Sequence, residues 1–157
     1  MRQFKATKVP DNIVKEIIEL AKLAPSAGNL QAYKVVISKE KLTSYDSPLN
    51  LVICADLEKS ASRYGERGKN LYAIQDATIF AAYLQLAIVN SGLTSCWVGA
   101  FREGKIRNLL KIPENLKPIA IIPLGYPPGR RATLRVGDPI GEKVGRRRRS
   151  FEEIILP

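Results

Sequence analysis

The chain has 157 residues, 45% of them hydrophobic, enough for one domain with a real core and too few for two comfortable ones. It contains no histidine, which removes the commonest general base, the usual zinc ligand and every Ser-His or Cys-His nucleophile pair. A net charge of +10 invites an anionic partner, or else reflects a solvated basic tail.

Met1 to Ala6 carries neither an apolar secretory segment nor a long amphipathic transit peptide, so a cytoplasmic protein is expected. Pro10 and Asp11 open a helix that Asp11 or Asn12 can cap, and Ile13, Ile17, Leu20, Ala21 and Ala24 recur at helical spacing. Pro25 stops it, and Ser26, Ala27, Gly28 and Asn29 form a small-residue turn carrying a hydroxyl and an amide. Tyr33 to Ser38 and Leu49 to Cys54 read as two interior strands, joined by a short linker containing Pro48. Lys59 to Lys69 is charged, holds Tyr64, Gly65, Glu66, Arg67 and Gly68, and reads as an exposed loop able to line a site entrance.

After Asp76 no charged residue appears until Arg102. Ala77 to Val89 leaves hardly any polar face, as expected for a helix covered by protein on all sides. A membrane span needs roughly 18 or more apolar residues in a row, and Gln85, Asn90 and Ser91 interrupt the run before Gly92 ends it. Gly92 suits the left-handed position past a helix end, and the following Leu93 to Phe101, with Gly99, is a tight segment suited to a ligand wall. Gly104 to Leu110 reads as a short helix, Pro113 and Pro118 bracket a turn, and Ile119 to Leu124 is a third strand ending at Gly125. Arg130 to Arg149 is basic and glycine-rich and ends in four consecutive arginines, after which Phe151, Ile154, Ile155 and Leu156 fit a last strand packed on something. Cys54 and Cys96, both in apolar strings, read as buried free thiols. Helices alternating with apolar strands make an α/β or α+β domain.

The ordered set Pro25-Ser26-Ala27-Gly28-Asn29-Leu30-Gln31, then Gln75-Asp76-Ala77, then Gly92-Leu93-Thr94-Ser95-Cys96-Trp97-Val98-Gly99-Ala100-Phe101, and finally Ile119 to Leu124 with Gly125-Tyr126-Pro127, resembles the nitroreductase family of flavin enzymes. The resemblance implies an α+β fold in three layers (α/β/α), a mostly antiparallel sheet flanked by helices around a central buried helix. It implies one domain over 1–157, with 130–157 a basic extension packing on the partner of an intertwined homodimer. It also implies FMN at each subunit interface, NADH or NADPH as donor, and a small nitro, quinone or similar acceptor.

By the same resemblance the cofactor is held by Pro25, Ser26, Ala27, Asn29 and Gln31 from one side and by Trp97, Val98, Gly99 and Ala100 from the other. No side chain is catalytic and no metal is implied; the backbone of Gly99 and Ala100 faces flavin N5 and O4. Of the N-terminal family pattern Arg-Arg-Ser-x-Arg before an aromatic, only Arg2 and Phe4 are present, so Arg147 and Arg149 are left to hold the phosphate. A further departure is the short linker Lys39 to Pro48, where the family usually has a helix. The alternatives are a flavin-binding protein with little turnover and a nucleic-acid-binding module built on the arginine run.

Overall fold

Strand β2 (Leu49–Asp56) is buried at every position, because its alternate side chains enter two separate cores. Leu49, Leu51, Ile53 and Ala55 point into the larger core, and Val52 and Cys54 into the smaller one. A strand covered on both faces reads as a continuous apolar run, which is how Leu49 to Cys54 reads. The computed structural model describes residues 3–128, 149–150 and 153–155. The strands are β1 (Tyr33–Ser38), β2, β3 (Thr94–Ser95) and β4 (Leu116–Gly125). Their order across the sheet is β1-β2-β4-β3, and every pairing is antiparallel.

Helices α1 (Asp11–Ala21) and α3 (Ala73–Asn90) pack on one face of the sheet and α4 (Glu103–Leu110) on the other. This is the three-layer α+β arrangement. Phe80, Leu84 and Ile88 of α3 are buried, each contributing about 1.5–3 kcal/mol by the area its side chain removes from water. Phe80 stacks on Tyr33 of β1 with ring centroids 4.3 Å apart. Gly92 takes the left-handed conformation, with φ of 71°.

The structure corrects several local expectations. Lys59 to Lys69 is not a loop: α2 (Leu57–Arg67) opens at Asp56, whose side chain accepts the Lys59 N–H at 3.1 Å. A π-helical turn, Gly68–Tyr72, joins α2 to α3. Gly68 is buried so closely against the Ser60 backbone that no side chain fits there. Among the described strands β1 lies at the sheet edge rather than in its interior, in keeping with its exposed Lys34 and Ile37.

The first helix has no side-chain cap from Asp11 or Asn12; the Pro10 carbonyl accepts the Val14 N–H at 3.2 Å instead. Its buried stripe is Val14, Ile17 and Ala21, while Leu20 is exposed. Pro118 lies inside β4, opposite Cys54 where the register shifts, rather than ending a turn. Cys96 is only half-buried, whereas Cys54 is fully buried.

The central helix is not covered on all sides. Ile79, Tyr83, Leu86 and Val89 are exposed, Leu86 at 70% and Val89 at 65%. An 18-residue window within Leu57–Asn90 has a mean hydropathy of 1.3, long and apolar enough to cross a membrane by composition. In the fold that helix instead spends its other face, Ala73 to Ile88, on the sheet.

Candidate functional site

The turn after α1 is built from unusual backbone. Gly28, Asn29 and Gln31 all have positive φ, at 54°, 56° and 50°. Asparagine tolerates this region better than most side chains, and glutamine gains nothing from it, so the conformation is imposed by surroundings. Within the turn the Asn29 N–H donates to the Ser26 carbonyl at 2.9 Å, and the Gln31 N–H to the Ser26 hydroxyl oxygen at 2.9 Å. The Gln31 side-chain amide donates to Asn29 Oδ1 at 3.3 Å. That leaves the Ser26 hydroxyl proton and the Asn29 Nδ2 group as donors with no partner among the described residues.

What imposes the conformation lies 49 positions away. Asp76, the one charged residue of α3 and set in its first turn, is buried at 2% exposure, and its Oδ1 accepts the Ala27 N–H at 2.9 Å. Its Oδ2 is buried and makes no hydrogen bond among the described residues, and neither does the buried Tyr33 hydroxyl. Burial raises the Tyr33 phenol above its usual pKa, and the nearby Asp76 charge raises it further. From the other side Arg63 Nη1 donates to the Gly28 carbonyl at 3.4 Å. A Cβ at Gly28 would lie 2.5 Å from the Tyr64 hydroxyl and 2.8 Å from Arg63 Nη1, so only glycine admits this approach.

A cavity of about 540 Å³ opens beside the turn, walled by Pro25, Ser26 and Ala27, by Tyr72, and by the first turns of α3 including Asp76 and Ile79. Pro25 is an exposed part of that wall, whereas Asn29 and Gln31 are exposed and lie outside the cavity lining. The second predicted segment sits elsewhere. Val98 bridges to Ile121 of β4 through two backbone bonds of 3.0 and 2.9 Å. Gly99 and Ala100 follow, exposed and with no hydrogen bond among the described residues, and Trp97 is 39% exposed.

This segment continues from β3, on the sheet edge opposite β1. Three strand spacings separate those edges, about 14 Å, and none of residues 97–100 lines the cavity beside the turn. Arg2, Arg147 and all of the extension 130–157 except 149–150 and 153–155 lie outside the described residues. Arg149 is exposed, as are Ile154 and Ile155.

Sequence reading left Asp76 and Tyr33 without a role and treated Arg63 only as part of a charged loop. The signal for Asp76 was legible: a single acid opening a helix otherwise free of charge, which burial makes costly unless the carboxylate holds a backbone donor.

A model of the nitroreductase family matches residues 1–46 and 38–126. The chain is similar to the NADH dehydrogenase of Thermus thermophilus, with 25% identity over 81% of this chain and 82% of that protein. Among solved structures it is similar to a nitroreductase family protein of Clostridium difficile 630, with 29% identity, a TM-score of 0.78 and coverage of 99% of this chain and 90% of that one. It is also similar to an FMN-dependent nitroreductase of Clostridium difficile R20291, with 25% identity, a TM-score of 0.70 and coverage of 96% and 94%.

Proposed function

Because the chain belongs to the nitroreductase family, we propose that this oxidoreductase uses FMN and NADH or NADPH to reduce a nitro, quinone or similar acceptor. The observation that carries the reading is the turn 26–31, held in left-handed conformation by buried Asp76 and presenting unpartnered donors beside a cavity. Such a donor set suits the carbonyl-rich edge of a flavin ring and its hydroxylated chain, which ask for hydrogen bonds more than for charge. The FMN-dependent neighbour supports the choice of cofactor.

When bound, FMN would accept hydride at N5 and release electrons to the acceptor. The chain's own residues do the rest. Ser26 and Asn29 would donate to the ring edge or the ribityl chain, and Asp76 keeps their turn in place. The N–H groups of exposed Gly99 and Ala100 would be available as donors where negative charge develops on the reduced ring. With no histidine in the chain, protons come from solvent. Arg149, together with Arg147 and Arg2, which lie outside the described residues, would supply the cations for the phosphate and the ring that the family resemblance calls for.

We assign the complete site to a cytoplasmic homodimer, in which the turn of one chain meets residues 97–100 of the other. The exposed stripe Ile79, Tyr83, Leu86 and Val89 supplies apolar surface for that contact. The test is the visible spectrum of purified protein reconstituted with FMN, before and after anaerobic NADH or NADPH. Bleaching that a quinone or nitro compound reverses is the expected result. Failure to take up FMN overturns the cofactor, and bound FMN that neither donor bleaches overturns the enzyme in favour of a flavin-binding protein.

A further inference from the structure

Four residues of the helical segment between β2 and α3 form one cluster, with Arg63 and Arg67 exposed and Tyr64 and Tyr72 half-buried. Arg63 lies over the Tyr64 ring, 5.5 Å from its centroid, and Arg67 over the Tyr72 ring at 5.3 Å. The two rings meet edge to face at 5.2 Å. Arg67 Nε donates to the Tyr72 hydroxyl at 2.8 Å. The break that lets Tyr64 and Tyr72 face each other comes at Gly65, with φ of 55°. Neither guanidinium has a carboxylate partner among the described residues; the nearby acids are used by others, Glu58 by Lys69 and Glu66 by Asn70.

The cluster is fastened to the cavity at two points. Tyr72 is one of the cavity walls, and Arg63 reaches the Gly28 carbonyl in the turn whose neighbours Ser26 and Ala27 form another wall. The cavity is therefore electrically polar from end to end. Its inner wall holds Asp76, a buried carboxyl with an unpartnered oxygen, and beside it, held by the Gly28 carbonyl and the Tyr72 hydroxyl rather than lining it, stand two guanidinium groups without a carboxylate partner among the described residues. A flat acceptor with an anionic end that packs at the mouth of this cavity, over a flavin held within it, enters the field in one orientation, with the negative group toward the guanidinium groups. Arginine held flat on an aromatic ring still presents its outer N–H edge, the fork that matches a carboxylate.

We propose that Arg63 and Arg67 form an anion subsite that selects flat electron acceptors bearing a carboxylate. The inference rests on the reductase reading for its catalytic arm, and its binding arm stands without it. The probes are 4-nitrobenzoate and its uncharged analogue 4-nitrobenzamide, which share ring and nitro group. With NADH as donor, the wild-type protein prefers the carboxylate in kcat/KM. The Arg63→Gln, Arg67→Gln double variant lowers that preference by about fivefold, the size expected for two solvent-exposed charge pairs, through KM more than kcat. A calorimetric titration of the same two compounds without any donor shows the same loss of preference.

Because Arg63 also holds the Gly28 carbonyl of the flavin-binding turn, a thermal melt and FMN titration of the variant measure separately any loss of fold or cofactor. The preference is read as a ratio at saturating FMN, and single Arg→Lys variants keep part of the preference because the charge is kept. If the NADPH to NADH ratio falls while the acceptor preference stays, the subsite reads the donor's phosphate and the acceptor assignment is overturned. Unchanged ratios throughout overturn the subsite altogether. If neither nitro compound is reduced by wild-type protein but the titration preference stands and depends on the arginines, the reductase reading fails and the subsite survives.

Discussion

Replacing Asp76 by alanine tests the link between the central helix and the flavin-binding turn. The change removes Oδ1 and leaves the Ala27 N–H, bonded at 2.9 Å, without its partner. A hydrogen bond to a charged group contributes about 1.5–3 kcal/mol, and part of that returns because Ala27 is only half-buried and water can reach it. Removing the buried, unpartnered Oδ2 also relieves a desolvation cost. The net destabilisation is then about 1 kcal/mol, or about 2–4 °C in Tm for a domain of this size.

The functional effect is larger than the thermal one. Residues 28, 29 and 31, no longer fastened in the left-handed region, must be ordered again by the ligand, and about 1.4 kcal/mol of that ordering weakens FMN about tenfold. Asp76→Asn keeps a side-chain oxygen for Ala27 and so binds FMN more tightly than the alanine variant. The assay is an FMN fluorescence titration beside a thermal melt. Wild-type affinity in Asp76→Ala, with an unchanged melt, would refute the claim that this carboxylate builds the turn.

Three further outcomes follow from the same geometry. Asn29→Ala carries a strain cost of roughly 1 kcal/mol at φ of 56°, so Asn29→Gly is the cleaner variant. It should retain the wild-type Tm while weakening FMN binding, and unaltered affinity in a titration would remove the amide from the site. Leu86→Glu places a charge in the exposed apolar stripe without disturbing the core, since Leu86 is 70% exposed. Light scattering should show dimer turning to monomer together with loss of bound FMN, and a dimer that persists counts against that stripe as the contact.

Burial pushes the Cys54 thiol up to about 11 from 9.0, with Arg107 opposing the shift and Glu103 adding to it. Between those values the folded chain keeps a proton that the unfolded chain releases, so stability is full below pH 9 and falls as pH rises toward 11, by ~2 kcal/mol. Denaturant melts across that window should flatten in Cys54→Ala, and equal slopes would exclude Cys54 as the cause.

Features that depend on a few neighbouring residues were legible in the chain itself. β1 runs from Tyr33 to Ser38 as its β-branched pattern indicates, Gly92 ends the central helix in left-handed backbone, and the small-residue turn after Pro25 is where unusual φ values gather. The ordered motifs also carried the family, because each marks a local structure that the fold uses in sequence. Tertiary structure decided what depends on distant partners. α2 forms from a charged segment because Asp56 caps it and Gly68 packs on Ser60, and its Arg63 then reaches a turn 35 positions earlier in the chain. Apolar composition alone did not distinguish the buried face of α3 from its exposed one, because Leu84 and Leu86 are chemically alike and only the sheet beneath the helix covers one and leaves the other in water.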